Sequence, residues 1–330
     1  MPQIDSGTLF FAAIFTNNIL LTNFLGLCPF LSISREVRPA LGLGVAVILV
    51  MTCTSVLNYL VYYHLLEPLG LEVEFTAGEG PVVPNAVQEP ADVDRVRELE
   101  DVASLEYVME TVRATRAGLD RQLPVLGFAG APFTLASYAI EGGASRNHRR
   151  AKTLMYGDQA AWDALMGRLA RTVARYLNAQ IEAGAQAVQL FDSWAGCLGT
   201  DDYRRYVLPH TRSVIDAITP GVPVINFATG NPALLPLLSE AGGAVIGVDW
   251  RIRLDDAWRA VGYDKAVQGN LDPVVLLTDR DTIRVRVREI LDQAAGRAGH
   301  IFNLGHGVLP QTPVENAIAM VEAVHELSAA

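Results

Sequence analysis

Residues 165–193 read LMGRLARTVARYLNAQIEAGAQAVQLFDS. Leu165, Leu169, Val173, Leu177 and Ile181 recur every four residues, a spacing that lines one face of a helix and demands a partner for that face. Gly184 closes the helix, because glycine enters the left-handed conformation of a helix end without strain. Ala185 to Phe191 follows as a short apolar run ending in Asp192-Ser193, the pattern of a buried strand. A long one-sided helix leading directly into a buried strand is half of a βαβ crossover.

Outward from this unit the same rhythm repeats. Candidate strands are Leu123 to Gly130, Ala185 to Phe191, Val222 to Phe227, Ala244 to Asp249, Ala266 to Asn270 and Ile301 to Leu304, about six in all. Parallel strands joined by helices build either a doubly wound sheet or a (β/α)8 barrel. No GxGxxG or Walker-type loop follows any of them, which argues against dinucleotide and P-loop chemistry. The strand ends are polar or glycine-rich: Phe128-Ala129-Gly130, Asp192-Ser193, Asn226-Phe227, Asp249-Trp250, Gly269-Asn270-Leu271-Asp272 and Asn303-Leu304-Gly305-His306-Gly307. Such a ring is either a binding mouth or a set of helix N-caps.

Composition breaks near residue 70. Ser6 to Ser34 and Pro39 to Leu66 contain no Asp, Glu, Lys or Arg, and only Arg35, Glu36 and Arg38 separate the two stretches. This reads as an α-helical transmembrane hairpin, with two buried core helices as the alternative. A formal net charge of -10 argues against a nucleic-acid partner, since phosphate binding needs a positive field. Cys28, Cys53 and Cys197 lie far apart without a CxxC pair, which suits a reducing compartment for the soluble part.

Several runs carry a resemblance in their order: Gly78-Glu79-Gly80-Pro81, Gly127-Phe128-Ala129-Gly130-Ala131-Pro132-Phe133-Thr134, Tyr138 with Glu141-Gly142-Gly143, and Leu190-Phe191-Asp192-Ser193 with Ala195-Gly196. Val248-Asp249-Trp250, Gln268-Gly269-Asn270-Leu271-Asp272-Pro273 and Asn303-Leu304-Gly305-His306-Gly307 complete the set. From about Glu72 to the C-terminus the chain resembles the uroporphyrinogen decarboxylase family. The resemblance implies a distorted (β/α)8 TIM-barrel, usually a cytoplasmic homodimer. It implies removal of acetate carboxylates from a tetrapyrrole, uroporphyrinogen, without metal or organic cofactor, the protonated pyrrole ring acting as electron sink. By motif match Tyr138 and His306 fall on catalytic positions, and Tyr138, Ser193, His306 and Phe128 on substrate-binding positions. All three polar side chains can donate hydrogen bonds to a carboxylate, and His306 would suit an acid near neutral pH. The alternatives are a helix N-cap for Ser193, a core aromatic for Tyr138 and a structural loop residue for His306.

The chain also departs from the family. An arginine-rich first strand segment and a second bearing Asp in a Phe-Ser-Asp-like run are absent, so the expected fold is a TIM-barrel lacking its first two strand segments. Counting back from Leu69-Gly70, Val61 stands where the family's catalytic Asp belongs, and a valine cannot stabilise positive charge. Arg146, Arg149 and Arg150 meet an anionic substrate or form a solvated helix start.

The N-terminal piece has its own resemblance. Thr16-Asn17-Asn18, Phe24-Leu25-Gly26-Leu27-Cys28-Pro29-Phe30-Leu31, Gly42-Leu43-Gly44 and Leu66-Glu67-Pro68-Leu69-Gly70-Leu71 are similar to the opening helices of Rnf and Nqr electron-transport membrane subunits. The match covers about Leu9 to Leu71, and membrane association would run through residues 9–66. Cys28 would be half of an iron ligand set whose other half is missing, so no metal is assigned. The chain is thus expected to divide into a two-helix membrane segment, 1–70, and a truncated barrel domain, 71–330, joined near Gly70-Leu71-Glu72 from two unrelated proteins. Arg35 and Arg38 favour a cytoplasmic link, which sets the second piece on the outer face, against the cytoplasmic location expected of a haem-pathway enzyme. Two other readings stay in view. A membrane electron-transport subunit explains only the first fifth. A corrinoid methyltransferase of the same superfamily requires a zinc-ligand His-x-Cys and a later Cys, whereas Cys197 stands alone in its domain.

Overall fold

In a computed structural model of the chain, the described residues are 74–76, 80–143 and 145–328. The expected hairpin, with Cys28, Cys53 and Val61, lies outside them. Among the described residues no helix is long and apolar enough to cross a membrane.

A two-stranded antiparallel ribbon, β1 (Glu74–Thr76) and β2 (Gly80–Val82), comes first. Helix α1 (Glu106–Gly118) leads to β3 (Leu126–Gly130), and α2 (Pro132–Glu141), α3 (Arg149–Gly157) and α4 (Gln159–Glu182) lead on to β4 (Ala187–Asp192). Then follow α5 (Thr200–Tyr206), α6 (Leu208–Asp216), β5 (Val224–Ala228), α7 (Leu235–Ala241) and β6 (Val245–Gly247). The chain continues through α8 (Leu254–Val261), β7 (Ala266–Leu271), α9 (Arg280–Ala294), β8 (His300–Leu304) and α10 (Val314–Ser328). Strands β3 to β8 form one parallel sheet in sequential order. This is an α/β fold with six consecutive βα steps, and all six strands read from the sequence are present.

At β3, β4 and β5 the strand starts two or three residues after its apolar run does. Pro124 and Pro223 have no N–H to give a ladder, so β3 and β5 begin beyond them. Ala185 is held back because its N–H still closes α4, donating to the Gln180 carbonyl at 2.9 Å.

The sheet is strongly curved. The Gln268 side chain on β7 donates to the Gln189 carboxamide on β4 at 3.3 Å, and both are buried. In a flat sheet strands three places apart are separated by about 14 Å. Only a sheet wrapped around its own inner face brings these two together, and register puts Phe128, Gln189, Phe191, Ile225, Phe227, Gly247, Gln268 and Ile301 on that face. The other face takes the helices. On α4, Leu165, Leu169, Val173 and Leu177 are buried and Ile181 half-buried, as the four-residue spacing requires. Trp162 and Trp258 are the bulkiest fully buried side chains, and their indole N–H groups reach the Tyr206 and Lys265 carbonyls, both at 2.9 Å.

At the two edges the sheet is treated differently from its middle. Every residue of β5 is buried, whereas Leu126 and Phe128 on β3 and Ile301 on β8 are exposed. A parallel edge presents backbone groups that need partners. At β3 the Gln180 carboxamide of α4 supplies them, accepting from the Phe128 N–H and donating to the Phe128 carbonyl, both at 3.0 Å. It does for one residue what a neighbouring strand would do. At β8 the Leu304 N–H is taken by the Asn303 carboxamide oxygen at 2.9 Å.

Replacing Gln180 by Ala should therefore cost about 1–3 kcal/mol and expose a β edge. A lower midpoint in denaturant melts together with concentration-dependent light scattering is the expected result; unchanged melts and a monodisperse protein would contradict the capping role.

Candidate functional site

The carboxyl ends of the strands carry an aromatic run across the mouth of the curved sheet. Phe128 meets Phe191 edge-on at 6.0 Å between centroids, and Phe191 meets Phe227 at 5.7 Å. Phe227 lies 6.0 Å from the His306 ring, which lies 6.4 Å from Trp250. Phe191 and Phe227 are direct register partners, so the contact follows from strand pairing. Their next partner is Gly247, where a Cβ would fall 2.6 Å from a Phe227 ring carbon. The glycine makes the room in which the ring lies. Phe128 is 62% exposed, which opens this end of the run to a ligand.

Beyond β6 the chain is gathered by Asp249, which is 5% exposed. Its Oδ2 accepts from the Thr229 hydroxyl, the Gly230 N–H and the Arg251 guanidinium, each at 2.7 Å, and its Oδ1 from the Arg251 N–H at 2.9 Å. Burial pushes this carboxyl upward, but the bonds from Thr229, Gly230 and Arg251 outweigh it and hold the group below the ordinary Asp range. Asn270 on β7 then donates to the Asp249 and Ile252 carbonyls, at 2.9 and 2.7 Å. Two pairs of loops also touch backbone to backbone. A Cβ on Gly305 would come 2.5 Å from the Trp250 nitrogen, and one on Gly196 would overlap the Thr229 carbonyl. Arg251 lies over the Trp250 ring, 4.0 Å from its centroid.

His306 is exposed at the centre of this surface. Partial burial and the nearby Arg251 charge lower its pKa, with Asp249 opposing. The imidazole is accordingly neutral at neutral pH, which favours a hydrogen-bonding role over that of a charged acid.

Tyr138 and Ser193 belong to a second group. The Tyr138 ring packs on Trp194 at 3.9 Å, and Trp194 also meets His148 at 5.0 Å. Among the described residues the Tyr138 hydroxyl makes no hydrogen bond, and burial raises its pKa. Ser193 does not act as a helix cap: Trp194 precedes the 3-10 turn Ala195–Cys197, with no side-chain cap bond. Asp192, in the same motif, turns to the helix layer instead of the mouth. It is 1% exposed, accepts from the Thr134 hydroxyl of α2 at 2.8 Å, and leaves Oδ2 buried without a partner. Burial raises its pKa to about 7. Asn226 likewise points outward, its amide donating to the Leu238 carbonyl of α7 at 3.1 Å. The polar ring expected at the mouth is therefore divided: Asp192 and Asn226 bind helices, and Asp272 caps the turn after β7 by accepting from the Val274 N–H. Arg146, Arg149 and Arg150 are exposed at and just before the start of α3, as a solvated helix start would be.

The profile of the family described as uroporphyrinogen decarboxylase (URO-D) matches residues 58–327. The chain belongs to the uroporphyrinogen decarboxylase family. A uroporphyrinogen decarboxylase of Sorangium cellulosum is 53% identical over 263 residues, 79% of this chain and 75% of that one. Another, from Carboxydothermus hydrogenoformans, is 47% identical over 309 residues, 93% of this chain and 86% of its own. Among solved structures, a methyltransferase from Methanosarcina mazei shares the fold at 20% identity, with a TM-score of 0.68 over 79% of this chain and 77% of that one. Residues 7–78 match a second family, described as Rnf-Nqr subunit, membrane protein. The two matches overlap across residues 58–78, and the junction expected near Gly70-Leu71-Glu72 falls inside the overlap.

Of the residues expected for a decarboxylase site, Phe128 and His306 lie on the aromatic run, Tyr138 and Ser193 lie beside Trp194, and Val61 is outside the described residues. Phe227 and Trp250 were read only as members of the strand-end ring, and Phe191 and Arg251 were not read as site residues. The available signal was parity: Phe191 and Phe227 each sit two residues beyond an inner-face position of their strand.

The buried Asp192 makes stability depend on pH. Its folded pKa, about 7, lies above the unfolded value near 3.8, so the folded state holds the proton longer. Its contribution is complete below the unfolded value and falls as pH rises through about 7, by at most on the order of 4 kcal/mol. Asp192→Asn should flatten this dependence, gaining on the wild type between pH 5 and roughly pH 7.5 in paired thermal melts. Parallel pH profiles would show that Asp192 ionises as freely in the fold as outside it.

Proposed function

We propose that residues 71–330 are a tetrapyrrole-binding decarboxylase domain, a (β/α)8 barrel lacking its first two strand segments, whose turnover is impaired. The observation that carries this is the aromatic run Phe128-Phe191-Phe227-His306-Trp250 at the strand ends of a chain belonging to this family. The pyrrole rings of a tetrapyrrole gain by burying their faces on such a surface, while its acidic side chains need donors at the rim. Tyr138, Ser193 and His306 are the donors proposed for that rim, and all three are neutral or nearly so at neutral pH. Phe128 completes the apolar contact. The domain works without metal or organic cofactor, as a homodimer.

Impairment follows from charge. Decarboxylation through a protonated pyrrole builds positive charge on the ring, and a fixed carboxylate is the strongest stabiliser a protein can set against it. Val61 at the family's Asp position supplies none. The binding surface survives where the charge-stabilising group does not. Residues 1–70 are proposed as a separate two-helix membrane segment, placing the domain at a membrane when residues 9–66 insert; the Rnf-Nqr match over 7–78 supports that reading.

The test is incubation of the purified full-length chain with uroporphyrinogen III, products being resolved by carboxylate number. Bound substrate released unchanged is the expected outcome. Turnover within about tenfold of an intact relative would mean that another carboxylate replaces the missing Asp and would overturn the impairment, since loss of such a group costs several kcal/mol of barrier.

A further inference from the structure

The strand-end surface holds one cation that the family's motif positions do not assign, Arg251. Its guanidinium is anchored on one side: Nη1 donates to Asp249 Oδ2 at 2.7 Å and to the Thr229 hydroxyl at 3.1 Å. The plane of the group rests on the Trp250 ring. The Arg251 side chain is 43% exposed, whereas that of Asp249 is only 4% exposed. Four donors already surround the carboxylate, so the face that this ion pair shows to solvent is the cationic one.

Trp250 and Arg251 also line a cleft of about 330 Å³ whose other walls include Arg253, Asn270 and Asp272 and, from α9, Arg286 and Glu289. The other charges there are committed. Arg253 pairs with Asp255 at 3.0 Å, Arg286 with Glu289 at 2.6 Å, and Asp272 accepts from the Val274 N–H at 2.9 Å. Asn270 spends its amide on the Asp249 and Ile252 carbonyls. Arg251 differs from Arg253 and Arg286 in being laid flat on an aromatic ring, and its Nε and Nη2 make no hydrogen bond among the described residues. A guanidinium held by one edge and flattened on an indole has lost its rotamer freedom before any ligand arrives, and its open edge has the spacing of a carboxylate's two oxygens.

We infer that Arg251 is a carboxylate-binding residue of the tetrapyrrole site, receiving an acidic side chain of the macrocycle in the cleft beside Trp250 while His306 faces the ring. This rests on the tetrapyrrole reading above. Asp249 and Thr229 are positioning residues for it and touch no ligand.

The experiment is titration of full-length protein with uroporphyrin, followed by quenching of tryptophan fluorescence, for wild type, Arg251→Gln and Arg251→Lys at low and moderate salt. Arg251→Gln should weaken binding about tenfold and make it less sensitive to salt, as loss of one charge-assisted pair requires. Arg251→Lys keeps a cation for Asp249 but not the planar fork, so it should melt like the wild type and still bind several-fold more weakly. Wild-type affinity in both variants would overturn the inference, as would Arg251→Lys binding normally while Arg251→Gln loses binding only in step with its melting temperature. Absence of uroporphyrin binding by the wild type would instead overturn the tetrapyrrole reading, and this inference with it.

Discussion

Asp249 is the constraint on which the strand-end surface depends. It lies just past the shortest strand of the sheet, where the β5 and β6 loops would otherwise diverge, and it holds Thr229, Gly230 and Arg251 with a single buried carboxylate. Such a charge is tolerated in the interior only because four donors meet it; removing any one leaves an expensive residue behind. Its backbone carbonyl extends the arrangement to β7 through Asn270. Three consecutive βα steps are thereby tied at their carboxyl ends, and Trp250 and Arg251 have their orientation from that tie.

The buried face of α4 was legible in the sequence. The four-residue spacing from Leu165 to Ile181 states which face of α4 is buried, and no tertiary information is needed to read it. Strands were legible as apolar runs and parity groups the residues of each face, but which face turns inward was not legible, because both faces of a strand buried on both sides are largely apolar. That is why Asp192 and Asn226, conspicuous polar residues near strand ends, suggested a mouth they do not line. Burial resolves the matter: Asp192 bonds α2 and Asn226 bonds α7. Curvature was hidden for a related reason. The Gln189 and Gln268 bond joins positions 79 residues apart, and no local pattern announces it.

The edges of the sheet show how a parallel array behaves where its neighbours end. Gln180 is a helix residue of ordinary composition, yet its carboxamide faces Phe128 with the donor and acceptor of a peptide group in the right order. A primary amide is the side chain best suited to imitate backbone. Residues 7–78 match a family described as a membrane protein and residues 58–327 match the decarboxylase family, and charge changes along the same stretch: none between Pro39 and Leu66, and abundant charge beyond Glu72.

The contacts at Gly196 and Gly305 have a consequence for how the domain must discriminate among ligands. Loops seated backbone on backbone cannot swing as lids do, since neither has a side chain to compress or a gap to cross. Induced fit is closed to these two segments. Discrimination must then come from a fixed template, in which a ligand is accepted when its own acids fall where the protein's donors already stand.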